Sequence, residues 1–150
     1  MPTFKDNKGR EWAVEITVST IKRVRSLLSV DLLQVAEGKF TDALLSDPVL
    51  LVDVLYVVCK PEADAAGVSD EEFGQAMAGD AIDQATQAFL EALASFFPSR
   101  RGELLRRVVA ATNKAIDKAL TLTEERLNSG ELERIADAAV SEALRPTTGG

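Results

Sequence analysis

Residues 3–20, TFKDNKGREWAVEITVST, decide the fold, because they hold the only convincing β-hairpin pattern in an otherwise helical sequence. Phe4 precedes a cluster of turn-forming residues at 6–10. After this cluster, apolar residues alternate with mostly polar ones, at Trp12, Val14, Ile16 and Val18. A period of two with one apolar face is typical of a half-buried strand, so the pattern predicts a hairpin.

A two-stranded ribbon is only marginally stable by itself in water. The hairpin must therefore lay its apolar face on the helices that follow, or offer its open edge to another chain. We expect a mainly α protein in which a small N-terminal β-hairpin packs on a helical bundle. We expect residues 1–98 to form the hairpin and a helical core. Residues 99–145 should extend the same domain with helices, which form either a pair or an arm, and residues 146–150 should be a flexible tail.

Capping residues mark the first helix starts. Ser19 or Thr20 can cap a helix that follows the hairpin, since either side chain can accept a hydrogen bond from an unpaired amide. Asp47 followed by Pro48 predicts another start, because proline at the first helical position loses no hydrogen bond. The apolar run at residues 49–59 places this helix at the centre of the domain, with a buried strand as the competing interpretation.

A further helix start is predicted by residues 68–73, VSDEEF. Ser69 and Glu72 stand at the spacing of a capping box, and Val68 and Phe73 stand at the spacing of a hydrophobic staple. We therefore expect a helix to begin directly after Ser69.

Three later segments repeat apolar residues at helical spacing. The first, which ends before Pro98, has Ile82, Ala85, Thr86, Phe89, Leu90, Leu93 and Phe96 or Phe97. The second, over residues 102–127, has Leu104, Leu105, Val108, Ala111, Thr112, Ala115, Ala119, Leu122 and Leu127. The third, between Gly130 and Pro146, has Leu132, Ile135, Ala136, Ala139 and Val140. The second stripe is thin and rich in alanine, which predicts that a monomer buries it incompletely.

Composition limits the possible functions. The chain has 150 residues, 46% of them hydrophobic, which suffices for one globular domain. Its 17 basic and 24 acidic residues give a formal net charge of −7. Such a surface repels phosphate backbones, so we expect no nucleic-acid partner. Histidine is absent, which removes the commonest general base near neutral pH and the commonest metal ligand.

Cys59 is the single cysteine and ends an apolar run. This position favours a small buried hydrophobe over a nucleophile, and no intramolecular disulfide can form. The run is interrupted by Asp53 and is too short to span a membrane. We therefore expect an intracellular protein without a membrane partner.

Charge is distributed unevenly along the chain. Between Glu37 and Glu91 twelve acidic residues stand against only Lys39 and Lys60. Basic residues cluster just after this stretch, at Arg100, Arg101, Arg106 and Arg107. The first interpretation is a solvated surface with ion pairs inside the chain, each worth about 0.2–1 kcal/mol if exposed. The alternative is head-to-tail association of copies, acidic middle against basic flank.

No arrangement of residues points to catalysis. The acidic pairs at 71–72 and 124–125 are adjacent, with nothing apolar around them to raise a pKa, and are read as surface charge. Asp80 and Asp83 lie one helical turn apart but lack a third oxygen ligand. The glycines form neither a P-loop nor a dinucleotide fingerprint. Trp12 is read as packing under the hairpin rather than as an interface anchor. We expect no enzyme activity, and no catalytic, cofactor-binding or metal-binding residues.

Several motifs follow one another along residues 3–98. They are Phe4-x-Asp6, Gly9-Arg10-x-Trp12, Ile21-Lys22-Arg23-Val24-Arg25, Val30-Asp31-Leu32-Leu33, Asp47-Pro48, Gly67-Val68-Ser69-Asp70-Glu71-Glu72-Phe73 and Phe96-Phe97-Pro98. In this order they resemble the tail assembly chaperones of long-tailed bacteriophages and prophages, which are small, acidic and mostly helical. The resemblance identifies no binding residues, and residues 99–150 have no counterpart in it.

The resemblance implies a non-enzymatic chaperone in the cytoplasm of a bacterial host. Such a protein binds the tape measure protein and keeps its long hydrophobic helices soluble while the tail tube polymerises around it. Two further expectations are that the partner is another tail protein and that copies of this chain associate with one another. The alternative is a structural tail-completion or connector subunit of the mature particle, which uses the hairpin edge for strand addition.

Overall fold

The computed structural model describes residues 1–38 and 41–144. These residues form two strands and nine helices: β1 Thr3–Lys5, β2 Glu11–Ala13, α1 Val18–Leu28, α2 Leu32–Ala36, α3 Thr41–Ser46, α4 Pro48–Val58, α5 Lys60–Ala66, α6 Asp70–Gln75, α7 Asp80–Phe96, α8 Ser99–Asn128 and α9 Glu131–Ala143. The chain divides into a first compact unit, residues 1–109, and a second, residues 110–150. Lys39, Pro146 and the tail predicted at residues 146–150 lie outside the described residues.

The hairpin turn is organised by Asp6, whose side chain is buried at 0% exposure. Its carboxylate accepts hydrogen bonds from the backbone amides of Lys8 and Arg10 at 2.9 and 3.0 Å. It also accepts from Arg10 Nε at 2.8 Å and from the indole Nε1 of Trp12 at 3.1 Å. Burial alone would raise the pKa of Asp6, but these hydrogen bonds outweigh it and hold the pKa below the ordinary value. The carboxylate therefore stays charged and ties the turn to the strand that follows.

The hairpin packs on the helices as predicted. The two strands are antiparallel, with Phe4 opposite Trp12. Trp12 is 2% exposed, and its ring meets Phe73 of α6 edge-on, with centroids 5.2 Å apart. The backbone amide of Asn7 in the turn donates to the carbonyl of Ala76 at 2.9 Å. The predicted fold class, a mainly α protein with a small hairpin on a helical bundle, is confirmed.

The second strand is shorter than its alternating pattern predicts. Strand β2 ends at Ala13 and helix α1 begins at Val18, which is 58% exposed. The cap of α1 is Thr17: its hydroxyl oxygen accepts from the amide of Thr20, and the Thr20 hydroxyl oxygen accepts from the amide of Thr17. The expectation that Ser19 or Thr20 caps this helix is wrong, because the pair of threonines forms its capping box earlier in the chain.

Helix α4 occupies the centre of the first unit, where it packs against α1, α3, α5, α6 and α7. Asp47 caps it, since the carboxylate accepts hydrogen bonds from the amides of Val49 and Leu50, both at 3.1 Å. Val54 and Leu55 are fully buried. The predicted helix is confirmed here, and the competing strand interpretation is wrong.

Helices α6 and α7 complete the core of the first unit. The Ser69 hydroxyl accepts from the amide of Glu72 at 3.2 Å and caps α6, which begins directly after Ser69, as predicted. In α7 the predicted stripe is confirmed at Ala85, Phe89 and Leu93, all of them 0% exposed.

Helix α8 departs from its predicted stripe. Only Gly102, Leu105 and Val109 are buried. Four residues assigned to the apolar face are instead 43–53% exposed, namely Leu104, Val108, Leu122 and Leu127. The apolar residues of α8 are spread over a wide arc, so spacing alone did not identify which part of the arc meets the core.

Candidate functional site

Cys59, which the sequence analysis weighed as a possible nucleophile, is a packing residue of the core. It is 2% exposed. Burial, and then the negative charge of Glu62, raise the pKa of the thiol to about 12. The thiol is therefore protonated at neutral pH, and Cys59 packs as a small apolar side chain, as predicted.

The carboxylates considered for catalysis or metal binding lie on the surface. The pairs at 71–72 and 124–125 are exposed, and so are Asp80 and Asp83 in the first turn of α7. Within residues 1–38 and 41–144 no group of three or more Cys, Asp or Glu side chains is placed to hold a metal ion. These residues present solvated charge.

Among the described residues, one ion pair joins the acidic middle of the chain to its basic flank. Arg106 Nη2 donates to Glu91 Oε1 at 2.9 Å. The hydrogen bond from Arg106 lowers the pKa of Glu91. Arg107 pairs with Glu103 at 3.0 Å. Both pairs are largely exposed and contribute little to stability.

A groove with a cavity of about 310 Å³ lies on the first unit. We call it the Phe97 groove; its lining residues are Leu33, Ala36, Glu37, Phe97, Arg101 and Leu104. Leu33, Ala36, Phe97 and Leu104 form the apolar part of the lining, and Leu104 is 53% exposed. Arg101 and its neighbour Arg100 are both exposed, and neither forms an ion pair with a described residue. The lining therefore combines apolar surface with one negative side chain, Glu37, and one positive side chain, Arg101.

The second unit exposes apolar side chains along α8. Ile116, Leu120 and Leu127 are 46%, 58% and 45% exposed. Their spacing of four and seven residues places them on one face of the helix. We call this face the 116–127 stripe. Every side chain at residues 114–129 is exposed, so no described side chain of the second unit covers the stripe.

Helix α9 also exposes its whole described surface, residues 133–144. Val140 and Leu144 are 57% and 77% exposed. Glu133 and Asp137 precede them by seven residues each and so share their face of the helix. The side chain of Leu132, which belongs to the predicted stripe, lies outside the described part of the chain.

No helix among the described residues has the length and apolar character needed to cross a lipid bilayer. No protein-family model, no curated protein and no solved structure matches the chain. The fold and its surfaces therefore define only a class, a mainly helical protein with exposed apolar helix faces. Such faces commonly mark sites of contact with other proteins.

Proposed function

We propose that this protein is a non-enzymatic tail assembly chaperone of a long-tailed phage or prophage. In this proposal it binds the tape measure protein in the host cytoplasm during tail morphogenesis. The motif order along residues 3–98 supports this function, since it resembles that family. The net charge of −7 is compatible with a protein client rather than a nucleic acid.

The observation that carries the proposal is the 116–127 stripe. An exposed apolar helix face with anchors one and two turns apart is the surface that binds another amphipathic helix. The tape measure protein, as the resemblance describes it, offers long hydrophobic helices. The stripe is a matching surface on this chain.

The size of the stripe suits reversible binding. Full burial of one large aliphatic side chain contributes about 1.5–3 kcal/mol. Because the three side chains are already about half covered, one copy gains on the order of 3 kcal/mol before the cost of association. Such a contact is weak in one copy and becomes strong when several copies bind along one long client. A chaperone that must later leave its client needs this behaviour.

The test is co-expression with a tagged tape measure protein from the same genome. We expect this chain to co-purify with the client and to raise its soluble fraction. The double variant I116D/L120D should lose both effects, because it places two charges in the stripe. The control V49D places a charge at an apolar residue that is 73% exposed in the first unit, and it should bind as the parent does. Absence of co-purification, or full binding by I116D/L120D, contradicts the proposal.

The structural-subunit alternative uses the open edge of the hairpin. On that edge the backbone amide of Ala13 already donates to Glu62 Oε2 at 3.2 Å. This contact occupies a donor on the β2 edge that an added strand would need, which weighs against strand addition there. Mass spectrometry of purified particles separates the two functions: a structural subunit is retained in the particle, and a chaperone is absent from it.

A further inference from the structure

We propose that a groove formed by helices α4, α6 and α7 of the first unit binds a cationic amphipathic helix of a protein partner. We call it the Tyr56 groove. It encloses about 300 Å³ and is lined by Pro48, Val49, Val52, Asp53, Tyr56, Asp70, Gly74, Met77 and Ile82. The partner is distinct from the client of the 116–127 stripe, so the proposal does not rest on the chaperone function.

The Tyr56 groove has the shape of a site for a helix. One wall is a single face of α4, since its lining residues at 48, 49, 52, 53 and 56 repeat at three- and four-residue spacing. This wall rises about 12 Å, slightly more than two helical turns. Val49, near one end, is 73% exposed, so the groove is open to solvent. A partner helix with apolar anchors one and two turns apart matches such a wall.

The lining leaves room for an apolar anchor. A Cβ at Gly74 of α6 would meet no atom within 4 Å, so the space over this backbone is unfilled. Met77 also lines the groove, and a methionine side chain adapts to occupants of irregular shape. Tyr56 is packed against the fully buried Phe73, with ring centroids 5.5 Å apart. The lining therefore combines a fixed aromatic side chain with open space and an adaptable one.

The charge of the Tyr56 groove selects a cationic occupant. Among the described residues, its lining holds two carboxylates, Asp53 and Asp70, and no lysine or arginine. Neither carboxylate forms an ion pair with a described residue. Helices α4, α6 and α7 themselves contain no lysine or arginine, and their acidic residues are Asp53, Asp70, Glu71, Glu72, Asp80, Asp83 and Glu91.

Lys60 approaches the groove but does not compensate this charge. Its Nζ lies 5.8 Å from the centroid of the Tyr56 ring. The ammonium is paired with Asp64 at 3.1 Å, and Lys60 is not part of the lining. A helix that brings lysine or arginine beside its apolar anchors would compensate Asp53 and Asp70, whereas an acidic helix would be repelled.

The first experiment measures the binding of a labelled synthetic peptide to the full-length chain by fluorescence anisotropy. The peptide has about 18 residues, or about five helical turns, with leucines along one face and lysines elsewhere. We expect binding that weakens with salt. One control peptide has glutamate in place of every lysine, and a second has its leucines scattered over all faces. Each should bind at least about tenfold more weakly, and equal binding by either contradicts the proposal.

Charge reversals locate the binding site. D53K/D70K should raise the dissociation constant of the leucine–lysine peptide at least about tenfold, because two attractive contacts become repulsive. The control E11K/E15K makes the same change in net charge at two other exposed carboxylates of the first unit. At about 0.15 M salt, where the Debye length is about 8 Å, it should change the constant less than about twofold. Equal weakening by both variants overturns the proposal.

A further control separates the Tyr56 groove from the 116–127 stripe. D117K/E124K reverses two exposed carboxylates of α8 in the second unit and should also change the constant less than about twofold. Weakening by D117K/E124K that matches the effect of D53K/D70K would assign the peptide to the second unit and overturn the proposal. Circular dichroism checks that each variant keeps its helical content.

The second experiment maps the contact by cross-linking and needs no charge reversal. Val49→Cys should form a mixed disulfide with a peptide in which one leucine is replaced by cysteine. The matched control is Leu27→Cys, at a residue of α1 that is 55% exposed, and it should not cross-link. Cys59 is buried, and burial raises the pKa of its thiol, so it should not compete. A cross-link at Val49→Cys no stronger than at Leu27→Cys overturns the proposal.

Sedimentation velocity on the chain alone tests the other possible occupant, a second copy. We expect no self-association that depends on Asp53 and Asp70. Association of the parent that D53K/D70K abolishes would place a second copy in the groove and overturn the proposal. Failure of any of these tests leaves the binding of a tape measure protein untouched, and failure to bind that client leaves the Tyr56 groove untouched.

Discussion

Helices α7 and α8 repeat apolar residues at the same spacing, yet α7 buries most of its stripe and α8 exposes most of its own. Phe89 and Leu93 of α7 are 0% exposed, whereas Leu120 and Leu127 of α8 are 58% and 45% exposed. An amphipathic pattern specifies which face of a helix must be covered. The comparison shows that the pattern does not specify whether residues of the same chain cover that face.

The largest expected effect comes from truncating the buried stripe. Phe89→Ala removes a fully buried ring from the centre of the first unit and should lower the free energy of unfolding by about 3–5 kcal/mol. Leu120→Ala makes a similar truncation at an exposed position and should change it by less than about 0.5 kcal/mol. Urea denaturation followed by circular dichroism measures both. A large loss for Leu120→Ala would show that its face is covered in solution.

A smaller effect is expected at the hairpin turn. Asp6→Asn keeps the shape of the side chain but removes the charge that accepts from Arg10 and Trp12, and should cost about 1.5–3 kcal/mol at pH 7. The pKa of Asp6 is lowered in the folded state, so its contribution is complete above the ordinary value of 3.8 and is lost as the pH falls through the folded pKa. The stability difference between the parent and D6N should therefore shrink below about pH 4. Urea denaturation at a series of pH values checks this. A difference that stays constant down to pH 2 would contradict the role of the charge.

Two helical glycines should respond with opposite signs. A Cβ at Gly102 of α8 would collide with the backbone carbonyl oxygen of Ala94 in α7, whereas a Cβ at Gly74 of α6 meets nothing. Gly102→Ala should therefore destabilise the protein by about 1–3 kcal/mol. Gly74→Ala should stabilise it by about 0.5–1 kcal/mol, since alanine is the better helix former. Thermal denaturation of both variants decides the matter, and a gain in stability for Gly102→Ala would rule out the close approach of α7 and α8.

Prediction from the sequence succeeded where interactions are local. Asp47 and Ser69 cap the helices that their spacing indicates, because a cap joins residues two or three positions apart. The same reasoning failed at Thr17, where two threonines satisfied each other and an apparently longer strand stopped early. Sequence analysis recognised a turn at residues 6–10 but did not identify Asp6 as the residue that organises it. An aspartate side chain often accepts a hydrogen bond from the backbone amide two residues further along, and this is a known signal of such turns.

The candidate surfaces were predictable only in part. The thin stripe on residues 102–127 was correctly read as poorly buried, but the sequence did not show that Leu105 and Val109 are covered while Leu104 and Val108 are exposed. Adjacent residues on a broad apolar arc are almost equally suited to face the core. Which of them is buried depends on the helices that pack against that arc, and these come from distant parts of the chain.

The sequence by itself determined the mainly helical fold with one N-terminal hairpin, the starts of α4 and α6, the burial of Cys59 at the end of an apolar run, and the surplus of negative charge. These properties follow from residue type and from hydrogen bonds between near neighbours. The tertiary structure alone decided the contact of Trp12 with Phe73, the lining of the Phe97 groove, and which residues on the apolar arc of α8 are buried. Each of these depends on contacts between residues far apart in the chain, or on the lack of such contacts among the described residues, and local periodicity carries no information about either.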